Sequence, residues 1–291
     1  MVSNRTLSRR KEGERVMDSM KGRRVVITGP TSGIGREIAT VLASLGAELV
    51  LACRDVGRGE QTAGDISRST HAADVTVMPV DMSSQASIRQ FVRAYRNRFS
   101  GLDVLINNAG IIRSGRERSV DGIERTFATN VLGYFLLTLE LLDALKADAP
   151  ARIVNVASSY ASEPDFDDLQ FEHRPYDGMQ AYAQSKACDR LLTWALARRL
   201  HTSGVTANAM APGLVMTNLY RDLPPEARLA LEKLGARTVP EGADTAVWLA
   251  SSPEVEGVSG RFFEQRKEIP CEFRNEEAEE RLWGICQSLI G

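Results

Sequence analysis

From Arg24 onward the chain alternates short, almost unbroken apolar runs with longer stretches in which apolar residues recur every three or four positions. The runs Arg24–Thr28, Glu48–Cys53, Asp74–Val80, Leu102–Ile106, Arg152–Ala157 and Val205–Ala211 carry no polar stripe, which predicts strands covered on both faces. Between them, Ile34–Leu45, Arg58–Ser67, Ser87–Phe99, Asp121–Lys146 and Met179–Leu200 have the length and period of crossover helices. Such alternation predicts an α/β fold, a doubly wound parallel β-sheet flanked by helices, because each crossover returns the chain to the same sheet edge. After Ala211 the rhythm changes. Leu223–Gly235 and Glu241–Ser251 read as helices, the second with Pro240 at its start, and a strand near Arg261–Glu264 and a helix near Glu276–Leu289 follow. No repeat or Pro/Gly linker divides the chain, so a single domain over residues 21–291 is expected.

Composition adds exclusions. The 291 residues are 43% hydrophobic and 25% charged, ordinary globular values, and a formal charge of −2 gives no basic surface for nucleic acid or anionic lipid. Cys53, Cys188, Cys271 and Cys286, with three histidines, show neither a C-x-x-C pair nor ligand spacing, which predicts reduced thiols in a cytoplasmic protein and no metal site. Residues 1–20 are charge-rich without an apolar core and read as a flexible extension rather than a secretory signal. The most apolar stretch, Val131–Leu145, is interrupted by Glu140 and Asp143 and reads as a buried helix too short to span a bilayer.

The first strand runs into Thr28-Gly29-Pro30-Thr31-Ser32-Gly33-Ile34-Gly35, and a helix pattern follows. A sharp turn, a backbone free of Cβ atoms and a helix N-terminus together suit the pyrophosphate of a dinucleotide on a Rossmann-type sheet. The same glycines also serve an ordinary strand-to-helix turn. At the tip of the second strand stand Cys53, Arg54 and Asp55. An acid there would bind the 2′-hydroxyl of NAD and an arginine the 2′-phosphate of NADP. Arg54 favours NADP(H), while Asp55 is able either to pair with it or to approach the ribose. Asp81-Met82 and Asn107-Asn108-Ala109-Gly110 end the third and fourth strands, where small residues admit a ligand or simply form turns.

Tyr182 and Lys186 are four apart on a helix and therefore share a face. A cation beside a phenol favours the phenolate and makes tyrosine a usable acid–base group. Ser158 and Ser159 follow the strand Arg152–Ala157, at the edge where ligands of parallel sheets bind. Asn130 lies among apolar neighbours inside a long helix, a costly place for an idle amide.

Taken together, Thr28–Gly35, Asn107–Gly110, Asn130, Ser158, Tyr182/Lys186 and Pro212-Gly213 with Thr217 resemble the short-chain dehydrogenase/reductase pattern from Lys21 to Glu264. Leu51–Asp55, Phe127–Gly133 and Ala197–Leu200 are similar to the retinol-dehydrogenase-like branch, in a soluble, bacterial-type form without the apolar N-terminal anchor of membrane-bound relatives. The resemblance implies a tetrad of Asn130, Ser158, Tyr182 and Lys186, with Ser158 taken over Ser159 because it is third after Asn155. Tyr182 would exchange the substrate proton, Ser158 hold the oxygen, Lys186 lower the tyrosine pKa and bind the nicotinamide ribose, and Asn130 bind a relay water. Gly29, Ser32, Gly33, Ile34 and Gly35 would cradle the pyrophosphate, Arg54 the 2′-phosphate, and Asp81 with Met82 the adenine. Asn108, Ala109 and Gly110 would lie by the ribose, and Pro212, Gly213, Val215 and Thr217 by the nicotinamide amide.

These readings imply an NADP(H)-dependent ketoreductase or alcohol dehydrogenase acting on a largely apolar small molecule, in a family whose members commonly form homo-oligomers. Use of the cofactor for epimerisation, dehydration or rearrangement, and a non-catalytic NADPH-binding regulator, stay open. An insert between Ser158 and Tyr182 (Pro164, Phe166, Phe171, His173, Tyr176) is expected to wall the substrate pocket. Residues 214–236, with Met216, Leu219, Tyr220, Leu223 and Leu229, are expected to form an apolar lid, and residues 265–291 a C-terminal extension.

Overall fold

The computed structural model describes residues 19–71, 74–220, 222, 225–233, 235–271 and 274–291. Of the extension expected over residues 1–20, residues 1–18 lie outside the described residues and Met20 is buried; Leu223 and residues 221, 224 and 234 of the expected lid also lie outside them.

Eight strands form one sheet in the order β3-β2-β1-β4-β5-β6-β7-β8. They are β1 (Arg24–Thr28), β2 (Glu48–Cys53), β3 (Val75–Pro79), β4 (Val104–Asn107), β5 (Ala151–Val156), β6 (Val205–Ala211), β7 (Phe262–Glu264) and β8 (Lys267–Glu268). All pairings among the first seven are parallel, and β8 returns antiparallel on β7. The order reverses between β1 and β4, so the crossover loops after these strands diverge and leave a crevice at their carboxyl ends.

Helices α1 (Gly33–Ser44), α2 (Val56–Thr70) and α8 (Val239–Ser251) cover one face, over a core that includes Ile27, Ile38, Leu42, Leu51 and Trp248. Helices α3 (Gln85–Arg98), α5 (Gly133–Ala147), α6 (Gly178–Arg199) and α9 (Glu276–Ile290) cover the other, over Phe91, Tyr95, Leu137, Leu191 and Trp283. With both faces clad, β1, β2, β4, β5 and β6 are almost wholly buried, as their unbroken apolar character requires, whereas the edge strands β3 and β8 are more exposed.

The boundaries shift where side chains cap the helices. Asp55 and Asp177 accept backbone N–H groups at the starts of α2 and α6, so both helices begin one or two residues earlier than their apolar period. The expected helix Asp121–Lys146 starts only at Arg125, where the buried Glu124 accepts from the N–H groups of Thr126 and Phe127. It runs as α4 (Arg125–Phe127), a π-helical turn at Ala128–Leu132, and α5. The whole stretch Arg125–Ala147 spans 23 residues. That is long and apolar enough to cross a membrane, which corrects the expectation from length alone, and 78% of its most apolar window is buried inside the protein. Short α7 (Pro225–Glu232) follows a 3₁₀ turn at Asn218–Tyr220.

Candidate active site

The crevice at the β1/β4 switch point is a cavity of about 280 Å³. It takes in the Gly29–Gly35 turn, Arg54, Asp81 and Met82 on the β2 and β3 side, and Tyr182, Lys186, Pro212 and Thr217 beyond β4.

The glycine turn is built by close approach. Gly29 and Gly33 have φ of +66° and +53°, values that disfavour side chains. A Cβ on Gly35 would fall 2.4 Å from the Gly29 carbonyl oxygen and 2.3 Å from Asn108 Nδ2. The Thr28 hydroxyl accepts the N–H groups of Asn108 and Ala109 at 2.9 and 3.0 Å. Asn108 Nδ2 in turn donates to the carbonyls of Thr28 (2.8 Å) and Gly29 (3.1 Å). Ser32 occupies the N-cap of α1 in extended backbone and its side chain caps nothing, so the first N–H groups of the helix keep their capacity for an anion.

At the tip of β2, Asp55 lines the cavity while one of its oxygens caps a helix. Asp55 Oδ1 accepts the Arg58 N–H at 3.0 Å as the cap of α2. Arg54 and Arg58 are exposed and line the cavity, and neither guanidinium pairs with a carboxylate among the described residues. Asp81 is tied to Ser83 through the backbone N–H (2.9 Å) and hydroxyl (2.7 Å), and Met82 is buried beside it. A glycine-rich turn, an open helix start and two guanidinium groups lining the same cavity are able to hold a dinucleotide.

At the other end, Tyr182 and Lys186 are 7% and 3% exposed. Lys186 Nζ lies 5.8 Å from the centre of the Tyr182 ring and donates to Val156 O at 2.9 Å and Asp189 Oδ2 at 2.7 Å. Burial raises the Tyr182 pKa above the usual tyrosine value; the Ser158 hydroxyl opposes this, and Asp189 adds to it. Ser158 Oγ accepts the Tyr160 N–H at 3.0 Å and Ser158 does not line the cavity, while the Ser159 hydroxyl donates to Glu264 at 2.5 Å.

Asn130 is fully buried under this end. Its Oδ1 accepts the Ile111 N–H (2.9 Å), and its Nδ2 donates to Ile111 O (3.1 Å) and Ser185 Oγ (3.0 Å). The amide thus joins the π-turn to α6 and to the loop after Gly110.

Residues 23–228 match the family model for short chain dehydrogenases. The chain belongs to that family. It is similar to retinol dehydrogenase 14 of Homo sapiens, at 40% identity across 94% of this chain and 87% of that protein. Among solved structures, an uncharacterized protein from Mycobacterium paratuberculosis has 31% identity and a TM-score of 0.75, covering 94% of this chain and 95% of that one. The Pseudomonas aeruginosa RhlG/NADP active-site complex has 27% identity and a TM-score of 0.69, covering 88% and 97% respectively. The protein is thus an oxidoreductase of the short-chain dehydrogenase family, in its retinol-dehydrogenase-like branch.

Within this short-chain dehydrogenase, several residues sit differently from their sequence reading. Gly213 and Val215 do not line the cavity. Gly213 (φ +75°) lies under Arg237, and the buried Val215 bridges to Arg237, so both anchor the start of the lid. Asn108 reaches the cavity, but its amide is engaged in joining β4 to β1. The insert does not wall the cavity. Phe166 packs on the main core, Phe171 is 2% exposed, and the Tyr176 hydroxyl contacts Thr126 and Glu124. Its aromatic residues fold back on the body of the protein because each finds apolar surface or a buried polar partner there. In the lid, Leu219 and Tyr220 pack with Met179 and Leu231 around Ile112 and Tyr182, whereas Leu229 is 52% exposed. Sequence reasoning missed Thr28, Arg58, Asp189 and the ion pair of Arg113 with Asp222 at 2.7 Å, both of which line the cavity.

Proposed function

We propose that this short-chain dehydrogenase is an NADP(H)-dependent ketoreductase or alcohol dehydrogenase acting on a largely apolar carbonyl or alcohol. One observation carries the reading: Tyr182 and Lys186, buried one helical turn apart, line the same cavity as the glycine turn and the two arginines. When bound, the reduced nicotinamide supplies the hydride. Tyr182 Oη donates the proton to the substrate oxygen in reduction and accepts it in oxidation. Ser158 fixes that oxygen beside the phenol, and Lys186, held by Val156 and Asp189, reaches the ribose and favours the ionised phenol only as far as Asp189 leaves its charge uncompensated. Arg54 and Arg58 hold the 2′-phosphate. Gly29–Gly35 and the start of α1 hold the pyrophosphate. Asn130 positions the Ile111 backbone and Ser185 behind these groups. The apolar patch of Ile112, Met179, Leu219, Tyr220 and Leu231 around Tyr182 supports a hydrophobic substrate under a lid over residues 214–236.

The test is turnover of purified protein with NADPH, or NADH, against decanal, acetophenone and all-trans-retinal, followed by nicotinamide absorbance. NADPH should be preferred, and Tyr182→Phe should lose at least about 100-fold in turnover while binding NADPH nearly as wild type. Wild-type rates in that variant would remove the mechanism.

A further inference from the structure

Lys186 does not present a free positive charge to Tyr182. Its ammonium is paired at 2.7 Å with Asp189, whose side chain is fully buried one turn further along α6. The second carboxylate oxygen, Oδ1, has no hydrogen-bond partner among the described residues. It belongs to a residue lining a cavity of about 20 Å³ with Tyr134, Thr138 and Asn155, enough for one water. The Tyr134 hydroxyl is likewise buried without a hydrogen-bond partner there. A carboxylate so placed is held by one strong donor and is open to protonation on its other side.

We propose that Asp189 is a positioning residue that sets the proton affinity of the Tyr182–Lys186 unit, neutralising the lysine so that the phenol stays protonated at neutral pH. The inference rests on the acid–base reading of Tyr182 given above. The charges facing Asp189 come from three helices: Lys186, Arg190, Tyr182 and Cys188 on α6, Tyr134 on α5, and Cys286 on α9. Burial pushes Asp189 up to about 7, against the pull of Lys186 and then Arg190. Burial alone would push Lys186 down, but Asp189 and Tyr134 hold it above its ordinary value. In a coupled buried set, deleting one negative charge makes the next proton easier to lose, whichever group carries it. The consequence is directional. With Asp189 ionised, the unit is a proton donor suited to carbonyl reduction, and alcohol oxidation needs alkaline pH.

The experiment is an ultraviolet difference titration of tyrosine ionisation in the NADP⁺ complex of wild type and Asp189→Asn, each subtracted against the same protein carrying Tyr182→Phe. Asparagine keeps an oxygen for Lys186 and removes the charge. If that variant does not accumulate folded, Asp189→Ser removes the charge at smaller volume. The Tyr182 midpoint should fall by about one pH unit or more without Asp189. Carbonyl turnover with NADPH is measured in parallel. An inactive Tyr182→Phe with an unmoved midpoint overturns the role of Asp189 and leaves the tyrosine mechanism standing. A fully active Tyr182→Phe overturns both.

Discussion

Asp55 Oδ1 accepts the backbone N–H of Arg58 across 3.0 Å as the cap of α2, and Asp55, Arg54 and Arg58 all line the same end of the crevice. The two guanidinium groups there are the candidates to read a 2′-phosphate. Replacing Arg54 and Arg58 together by Ala should weaken NADPH binding by about 10- to 100-fold and NADH binding by less than about threefold. Equal weakening of both cofactors in a fluorescence titration would show that the guanidinium groups do not read the phosphate.

Gly35→Ala places a methyl 2.4 Å from a backbone carbonyl that cannot move without opening the turn. A loss of about 1–3 kcal/mol of stability is expected, together with loss of the melting-temperature rise that NADPH gives wild type. Gly284→Ala is the control. It lies in α9 with nothing within 4 Å of the added methyl, and it should gain about 0.5–1 kcal/mol. If both variants behaved alike, the close packing of the turn would have no energetic consequence.

Asn130→Ala leaves the Ile111 N–H and carbonyl and the Ser185 hydroxyl without the amide they bond. Urea unfolding should show a loss of about 2–4 kcal/mol, since the groups are buried where water reaches poorly. A loss below about 0.5 kcal/mol would mean that water replaces the amide at no cost.

Arg113 and Asp222 join the segment after β4 to the lid across 2.7 Å. Breaking the pair from either side should raise KM for an apolar carbonyl several-fold with NADPH affinity preserved, because in the proposed function residues 214–236 cover the substrate end. The double variant Arg113→Ala/Asp222→Ala should be little worse than either single one. Strictly additive losses would argue against a shared contact.

Glu280 of α9 bonds Arg199 and Arg198 of α6, which hold its carboxyl down at about 2. Its unfolded value is about 4.3, so the contribution is complete above that pH and is lost as pH falls through the folded value. Glu280→Gln should therefore be less stable than wild type at pH 7, with the gap closing between about pH 4 and pH 2. A gap that is constant with pH would show a packing effect instead of a charge effect.

The central strands were legible because burial on both faces writes an unbroken apolar run: Arg24–Thr28, Glu48–Cys53 and Val205–Ala211 agree residue for residue. The β7–β8 hairpin was not, because its turn at Gln265 and Arg266 takes positive φ without the Gly or Asn that marks such turns. Tyr182, Lys186 and the glycine turn are local patterns and were readable. Asp189 carries no local signal, since an acid three residues after a lysine on a helix is usually a solvated pair. Only the packing of α5 and α9 over it makes that pair a buried one. The aromatic insert misled because sequence shows that such residues need cover, not which surface provides it.

Two side chains join the strand tips across the crevice, the Thr28 hydroxyl and the Asn108 amide. Thr28 stitches the first strand's end to the turn after the fourth, at the place where neighbouring crossovers part company. A valine there would keep the shape and lose both hydroxyl bonds, leaving the Asn108 amide alone to join the two tips. The seat for a ligand reaching across the sheet is therefore gauged in part by a residue able to stay outside any contact with that ligand.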